Sequence, residues 1–483
     1  MRLILLLAGF LGLFLSDASA QRRPNVLILF ADDLRADALG CYGNPYVITP
    51  NIDRLATEGT QFTRAYILGG DQGAVCAPSR AMLLSGKSFF RVSDKLKGEL
   101  TLPDYLRKNG YETFMTGKWH NEKEVVARGF DQARNLMFAG MSDHFQVPTQ
   151  DLRPDGTFTE VTRKGFSTDI FGETAMQFLD QHDPKKPFFA YIPFTAPHDP
   201  RSPLPQYRKL YDEKGVPLPA NFMPLHPFSF GNSMGIRDEF LAAYPRTPET
   251  IRSQTAEYYG LVTHLDEVIG KILAKLKEKG LEENTLVIFA ADNGLALGSH
   301  GLLGKQNLYE HSMHVPLIVK GRRIPAGRQS DAFVYLLDLF PTLCSYAGLP
   351  VPAGMDGKDL NPVLSGKSDG VRSELFTAYM SFQRSVRDGR YKLIRYPKVN
   401  YTQLFDLEHD PWELANLADK PEHAERVRKM TELLEKNQHI FGDNLPLTTS
   451  QPAPLSWDYH QLDRKPDAHQ PKELVDKYFR KEK

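Results

Sequence analysis

Short apolar runs of strand length recur along this chain, and four of them end on clusters of polar residues. Residues 25–30 run into Ala31-Asp32-Asp33, and residues 113–116 into Gly117-Lys118-Trp119-His120. Residues 187–193 lead to Thr195-Ala196-Pro197-His198-Asp199-Pro200, and residues 285–290 to Ala291-Asp292-Asn293-Gly294. Residues 25–30 and 285–290, without polar alternation, predict buried strands, and 113–116 and 187–193 read as further strands. A fifth run, 316–319, adds another such strand. Between them Leu261, Leu265, Val268, Ile272 and Leu276 recur at spacings of three and four. That period predicts a long helix over about 248–279, stopped at Gly280 and packed on the sheet. Shorter helices are expected over 102–110 and 423–438. Residues 386–394 read as a hairpin about Asp388-Gly389, and 403–407 as the next strand. The stretch 201–250 is rich in proline and aromatic residues without clean periodicity, and reads as a long decorated loop that helps shape a pocket. No internal repeats occur.

The recurrence matters because ligands of open α/β sheets sit outside the carboxyl ends of the strands. Adjacent Asp32 and Asp33 repel unless a cation or solvent relieves them. Together with Asp292 and Asn293 they offer oxygen ligands at two strand ends, which suits Ca²⁺ or Mg²⁺ and not a thiolate-seeking ion. A solvated turn is the plainer account of Asp32-Asp33, and surface decoration that of Lys118 and His120. Prolines on both sides of His198-Asp199 disfavour helix and hold His198 on a rigid loop.

Composition narrows the setting. The 483 residues are 41% hydrophobic, enough for a large core, and no run after the first is long and apolar enough to span a bilayer. Met1-Arg2, the apolar residues 3–15 and Ala18-Ser19-Ala20 read as a secretory signal peptide over 1–20, cleaved before Gln21; an uncleaved anchor is the alternative. A soluble protein exported to the periplasm or outside the cell, with no stable membrane anchor, is therefore expected. Lys+Arg and Asp+Glu both number 59, which leaves no overall electrostatic case for nucleic acid or anionic lipid. Any anion site must be local. The three cysteines, Cys41, Cys76 and Cys344, are too few for a disulfide scaffold. Cys41 and Cys344 read as buried thiols, with a bridge between them left open.

The densest chemistry lies in Cys76-Ala77-Pro78-Ser79-Arg80, followed by Ala81-Met82-Leu83-Leu84-Ser85-Gly86. Pro78 suits a first helical turn, so Cys76 is placed about at the helix cap, near orphan amides and the positive dipole end. An anion would be favoured there, with Arg80 as a fixed charge one turn away. A buried structural cysteine is the bland alternative.

Residues 76–86 match the signature C-x-P-S-R-x-x-x-L-T-G, with Ser85 in place of threonine, and the chain thereby resembles the formylglycine-dependent sulfatases of the alkaline phosphatase superfamily. Gly117-Lys118-Trp119-His120 resembles that family's G-K-W-H element, although Asn121-Glu122 replace the usual Leu-Gly. Residues 404–417 resemble its closing element. The likeness runs over roughly residues 24–420, in the expected order.

The resemblance implies an α/β sandwich with a large mixed central sheet flanked by helices, plus a small C-terminal antiparallel sheet with a helix. A catalytic region over 21–370, an α+β subdomain over 371–440 and a surface tail over 441–483 follow from it. It implies that a formylglycine-generating maturation enzyme converts Cys76 to an aldehyde whose hydrate supplies the nucleophilic oxygen. One Ca²⁺ or Mg²⁺ would be held by Asp32, Asp33, Asp292, Asn293 and residue 76. Arg80, Lys118 and Lys305 would stabilise sulfate charge. His198 with Lys305 would protonate the departing alcohol, and His120 would take the proton that releases sulfate. His300 has a weaker claim, as a residue lining the sugar pocket. The implied substrate is a sulfate ester, with a sulfated glycan favoured over choline sulfate or an aryl sulfate. A phosphate-monoester or phosphonate hydrolase on the same scaffold, and an inactive sulfated-glycan binder, are the alternatives.

Overall fold

The computed structural model describes residues 22–231, 233–462 and 465–479; the expected signal peptide over 1–20 lies outside them. Nine strands form the central sheet. Its order is Arg328–Ser330, Thr60–Tyr66, His314–Lys320, Thr285–Ala291, Asn25–Ala31, Phe188–Pro193, Glu112–Lys118 and Gln132–Met137, with Val334–Tyr335 also beside Thr60–Tyr66. His314–Lys320 runs antiparallel to both neighbours and the other pairs are parallel, so the sheet is mixed. The two expected buried strands are buried: every residue of Asn25–Ala31 and Thr285–Ala291 is enclosed, as is every residue of Phe188–Pro193.

Register turns this sheet into a site. Ala31 pairs with Ala291, so Asp32 and Asp292 leave the sheet side by side. Phe30 pairs with Pro193, and Asp32 N donates to Ala196 O at 3.1 Å, which lays the 194–199 turn against the same edge. The helix Cys76–Ser85 packs on one face of the sheet, with all ten residues buried. The helix Pro248–Glu278 covers the other face with Leu265, Val268, Ile272 and Leu276 buried, and Gly280 follows it in the left-handed conformation.

Beside the long helix lies Ser167–Gln181, a helix the sequence pattern leaves unassigned. Gly172 weakens its helical signal, yet a Cβ there would lie 2.2 Å from Val268 Cγ1. Tertiary packing, not propensity, chose that residue.

A second sheet orders Tyr401–Asp406, Tyr391–Tyr396, Gln383–Arg387, Leu375–Tyr379 and Gly69–Gly70. Its first four strands are antiparallel and contain the expected hairpin, and the helix Ala424–Phe441 buries Met430 and Leu434 against it. The short strand Gly69–Gly70 is parallel to Leu375–Tyr379 and so stitches the segment leading to Cys76 onto the second sheet.

One expectation needs correction. Cys41 is half-buried rather than buried, and Cys41 and Cys344 are both free thiols. The described part of 441–483, expected as a surface tail, is mostly exposed and is docked on the body of the protein at particular points. Trp457 Nε1 donates to His226 O at 2.8 Å, and Tyr478 is buried against Leu241, Ala242, Ile251 and Leu303. Apolar burial and long-range hydrogen bonds hold this segment on the 201–250 loop, a coupling with no period to betray it in sequence. Among the described residues no helix is long and apolar enough to cross a membrane.

Candidate active site

Cys76 begins its helix directly after Val75 and is 1% exposed. Its Sγ, which marks where any modified group at residue 76 would sit, lies 3.3 Å from His120 Nδ1, 3.6 Å from Lys305 Nζ and 3.9 Å from Lys118 Nζ. Burial pushes the thiol's pKa up, against the pull of Lys118 and Lys305. A thiol held that way is a poor nucleophile at neutral pH, because the thiolate is the reactive form.

Beneath it the charges interlock. Arg80 Nε donates to Asp292 Oδ2 at 3.0 Å and Arg80 NH1 to Lys118 O at 3.0 Å. Lys118 Nζ reaches Asp32 Oδ2 at 2.5 Å, and Lys305 Nζ reaches Asp33 Oδ1 at 2.5 Å. Asp33 N donates to Asp292 Oδ1, and Asn293 Nδ2 to Asp33 Oδ1. Burial, reinforced by Asp292, raises the Asp32 carboxyl to about 8. Burial would raise Asp33 as well, but His198 and Lys305 outweigh it and hold that carboxyl below its usual range.

The donors present fit a hard divalent cation. Asp32 Oδ1 and Asn293 Oδ1 are buried acceptors without a hydrogen-bond partner among the described residues, and such atoms are costly unless something ligates them. Ligand atoms of Asp32, Cys76 and Asp292 lie within 4.8 Å of one another. Asp32, Asp33 and Asp292 oppose Arg80, Lys118 and Lys305 in equal number, so a divalent ion among them would turn the site cationic and receptive to an anionic ester.

Backbone geometry aims the remaining groups. Gly117 has φ +116°, and a Cβ there would lie 2.0 Å from Pro193 O. That close approach brings Lys118 to the neighbouring strand's end. Asp33 and His120 adopt φ +63° and +64°, a strained region for residues with side chains and one that clusters at functional sites. Burial, with Lys118 and Arg80 adding to it, holds the His120 imidazole well below its usual pKa, so it is neutral. His198 Nδ1 is 2.7 Å from Asp199 O, which turns Nε2 toward Asp33 Oδ2 at 3.6 Å. Burial lowers His198 to about 4, against Asp33 and Asp199.

The sequence-derived set Asp32, Asp33, Cys76, Arg80, Lys118, His120, His198, Asp292, Asn293 and Lys305 therefore meets at one edge of the central sheet. His300 does not join it. Its ring stacks on Tyr309 at 4.0 Å and lines a pocket with Phe228 and Phe405.

Several supporting residues had no signal in the sequence. His144 Nε2 donates to His198 O at 2.9 Å. Gln306 Nε2 ties Gly73 O, just ahead of Cys76, to Asp238 Oδ2. Arg237 NH1 donates to Asp199 Oδ1 at 2.8 Å and its Nε to Asp467 Oδ2 at 2.7 Å, while Gln470 Nε2 reaches Asp199 Oδ2 at 2.8 Å. The C-terminal segment thus reaches the residue next to His198.

The chain as a whole is similar to known proteins. The Sulfatase family profile matches residues 24–349, and that of the N-sulphoglucosamine sulphohydrolase C-terminal region matches 298–439. An N-acetylglucosamine-6-O-sulfatase of Bacteroides thetaiotaomicron is 28% identical, with 88% of each chain covered. A structure solved in complex with its substrate D-glucosamine-2-N,6-O-disulfate is 26% identical and superposes with a TM-score of 0.72 over 88% of this chain and 99% of that one. The phosphonate monoester hydrolase of Agrobacterium radiobacter, 24% identical, shares the fold with a TM-score of 0.72 over 90% of this chain and all of its own. With a profile spanning the strand-end cluster and a sandwich of the same build, the chain belongs to the sulfatase family, enzymes that hydrolyse sulfuric esters.

Proposed function

We propose that this protein removes sulfate from a sulfated sugar outside the cytoplasm, using residue 76 as formylglycine and one Ca²⁺ or Mg²⁺ held by Asp32, Asp33, Asp292 and Asn293. The observation that carries the reading is the setting of Cys76. Its thiol is buried and raised in pKa, yet surrounded by His120, Lys118, Lys305 and Arg80, which suits a precursor in an anion site better than a thiol nucleophile. The sugar class rests on the 6-O-sulfated glucosamine named for the two relatives above.

The aldehyde hydrate would supply an oxygen nucleophile and the ion would add positive charge beside it. The chain's own residues do the rest. Lys118, Lys305 and Arg80 lie where the sulfate oxygens would gather charge, and stabilise it in a buried site of low dielectric. Lys305, held protonated by Asp33 although burial opposes it, stays a cation through the cycle. His198 shares Asp33 with Lys305 and presents Nε2 to the site. An anionic ester beside it favours its protonated form, which then gives its proton to the departing alcohol. His120, neutral and in contact with residue 76, accepts the proton that accompanies sulfate release.

The shared fold favours one second reading, hydrolysis of phosphate or phosphonate monoesters. Paired sulfate and phosphate esters of one alcohol decide between them. A higher kcat/KM on the sulfate is expected, and a higher value on the phosphate would replace the first reading with the second. A panel of defined sulfated saccharides tests the substrate class, with turnover of choline or aryl sulfate alone as the contrary result.

A further inference from the structure

A second cleft begins two residues beyond Asp33 and shares no residue with the catalytic cluster. It lies where the central sheet meets the small one, and its 360 Å³ are walled by Arg64, Glu310, His311, His314, Arg387 and Trp412 among others. It continues past Arg35, Asp37 and Trp412 into a 410 Å³ hollow bordered by Tyr42, Tyr46 and Tyr259 and by residues 217–220. Both fall within the range of small-molecule sites, about 300–1,000 Å³.

The cationic half carries polar groups that the fold leaves unused. Both ring nitrogens of His311, only 8% exposed, lack a hydrogen-bond partner among the described residues, as do His314 Nε2, Arg387 Nε and Asn221 Oδ1. Arg64 lies 5.3 Å over the Phe333 ring and has no carboxylate partner among the described residues. Arg387 is tied to Glu310 at 2.6 Å, and Arg35 to Asp37 at 2.6 Å, so among the described residues Arg64 is the arginine of this wall left for a ligand. Buried polar atoms are normally paired, and a run of unpaired ones around a cleft marks a polar ligand. The other half offers ring faces: Trp412 is 41% and Tyr46 50% exposed.

We propose that this cleft is a non-catalytic carbohydrate site that holds an anionic, sulfated stretch of sugar chain, with sugar faces on Trp412 and Tyr46 and an anionic substituent on Arg64. It rests on the sulfated-sugar reading above and adds that the substrate is an oligomer or polymer. Aromatic faces beside an unpaired guanidinium suit alternating apolar and anionic faces of such a chain better than a lone small anion.

The test measures binding of a sulfated glycosaminoglycan tetrasaccharide, its desulfated counterpart and inorganic sulfate to the full chain carrying Cys76→Ala. Arg64→Ala is expected to weaken the sulfated tetrasaccharide about five- to tenfold and to leave the desulfated one unchanged, whereas Trp412→Ala weakens both. In the wild-type background each should raise KM for a tetrasaccharide and leave kcat/KM on a monosaccharide sulfate unchanged. Tetrasaccharide affinity indifferent to both substitutions overturns the proposal, as does inorganic sulfate binding as tightly as the tetrasaccharide with the same dependence on Arg64. Arg64-dependent binding without any desulfation by wild type would uphold the cleft and sink the activity; desulfation with unchanged tetrasaccharide binding would do the reverse.

Discussion

This molecule holds two buried charge clusters, one at the strand ends of the central sheet and one where the two sheets meet. At the strand ends, Asp32, Asp33 and Asp292 meet Arg80, Lys118 and Lys305, and two acceptors, Asp32 Oδ1 and Asn293 Oδ1, have no hydrogen-bond partner among the described residues. Between the sheets, Lys392 bridges Glu310 at 2.9 Å and Glu413 at 2.8 Å, Arg387 bonds Glu310, and Glu413 also accepts from Glu310 N. In the second cluster both carboxylates, Glu310 and Glu413, are ion-paired within the protein and fasten the small sheet to the large one, with Arg387 Nε, unpartnered among the described residues, left over on the side of the neighbouring cleft. The first is open to something more. Substitutions in it should therefore remove activity and spare the fold, and substitutions in the junction should do the opposite.

The largest effect is expected from Cys76→Ala, a loss of about 10³-fold or more in kcat with little change in the urea midpoint. Chelation comes next. Removing divalent ions should abolish turnover, and Ca²⁺ or Mg²⁺ should restore it without zinc; a stoichiometric transition metal in the active protein would contradict the oxygen-ligand assignment. The two histidines sharpen the comparison within the catalytic cluster. His198→Ala should lose about 10²–10⁴-fold on a sugar sulfate and far less on an activated aryl sulfate, whose alcohol departs without a proton. His120→Ala should slow both alike and leave a pre-steady-state burst of alcohol. Equal losses for His198→Ala on the two substrates, with no burst for His120→Ala, would mean the roles are wrong.

In the junction, Lys392→Ala should reduce stability by about 3–5 kcal/mol by leaving the buried Glu413 carboxylate without its cation, with kcat of the folded fraction preserved, as denaturant curves and activity would report. The smallest effect concerns Glu413. Burial, with Glu310 adding to it and Lys392 opposing, raises its carboxyl from 4.5 to about 7. Between those values the folded chain binds a proton that the unfolded chain has lost, so this group makes stability fall as pH rises through that window. Glu413→Gln should flatten that slope, and an unchanged slope would remove Glu413 from the account.

Legibility followed the same division. Asp32, Lys118, His198 and Asp292 were readable because each ends a run of apolar strand residues, and parallel register carries strand ends to one place. His144, Arg237, Asp467 and Gln470 were not, because they reach the site from loops and from a segment 271 residues beyond Asp199 in sequence. Such contacts carry no period. Thr60–Tyr66 and Gln132–Met137 alternate too weakly to stand out, and the sheet completes them. The 441–483 segment reads as surface by composition, and the contacts of Trp457 and Tyr478 that dock it carry no sequence pattern.

The central claim is that residue 76 acts as an aldehyde made from cysteine. Mass analysis of the peptide that spans Cys76 and Arg80, on preparations made with and without an active maturation system, tests it most directly when read against turnover of one sulfated saccharide. The account predicts a peptide that has lost sulfur and gained oxygen, and a kcat that scales with the converted fraction. A fully active preparation in which residue 76 is an unmodified thiol would contradict it.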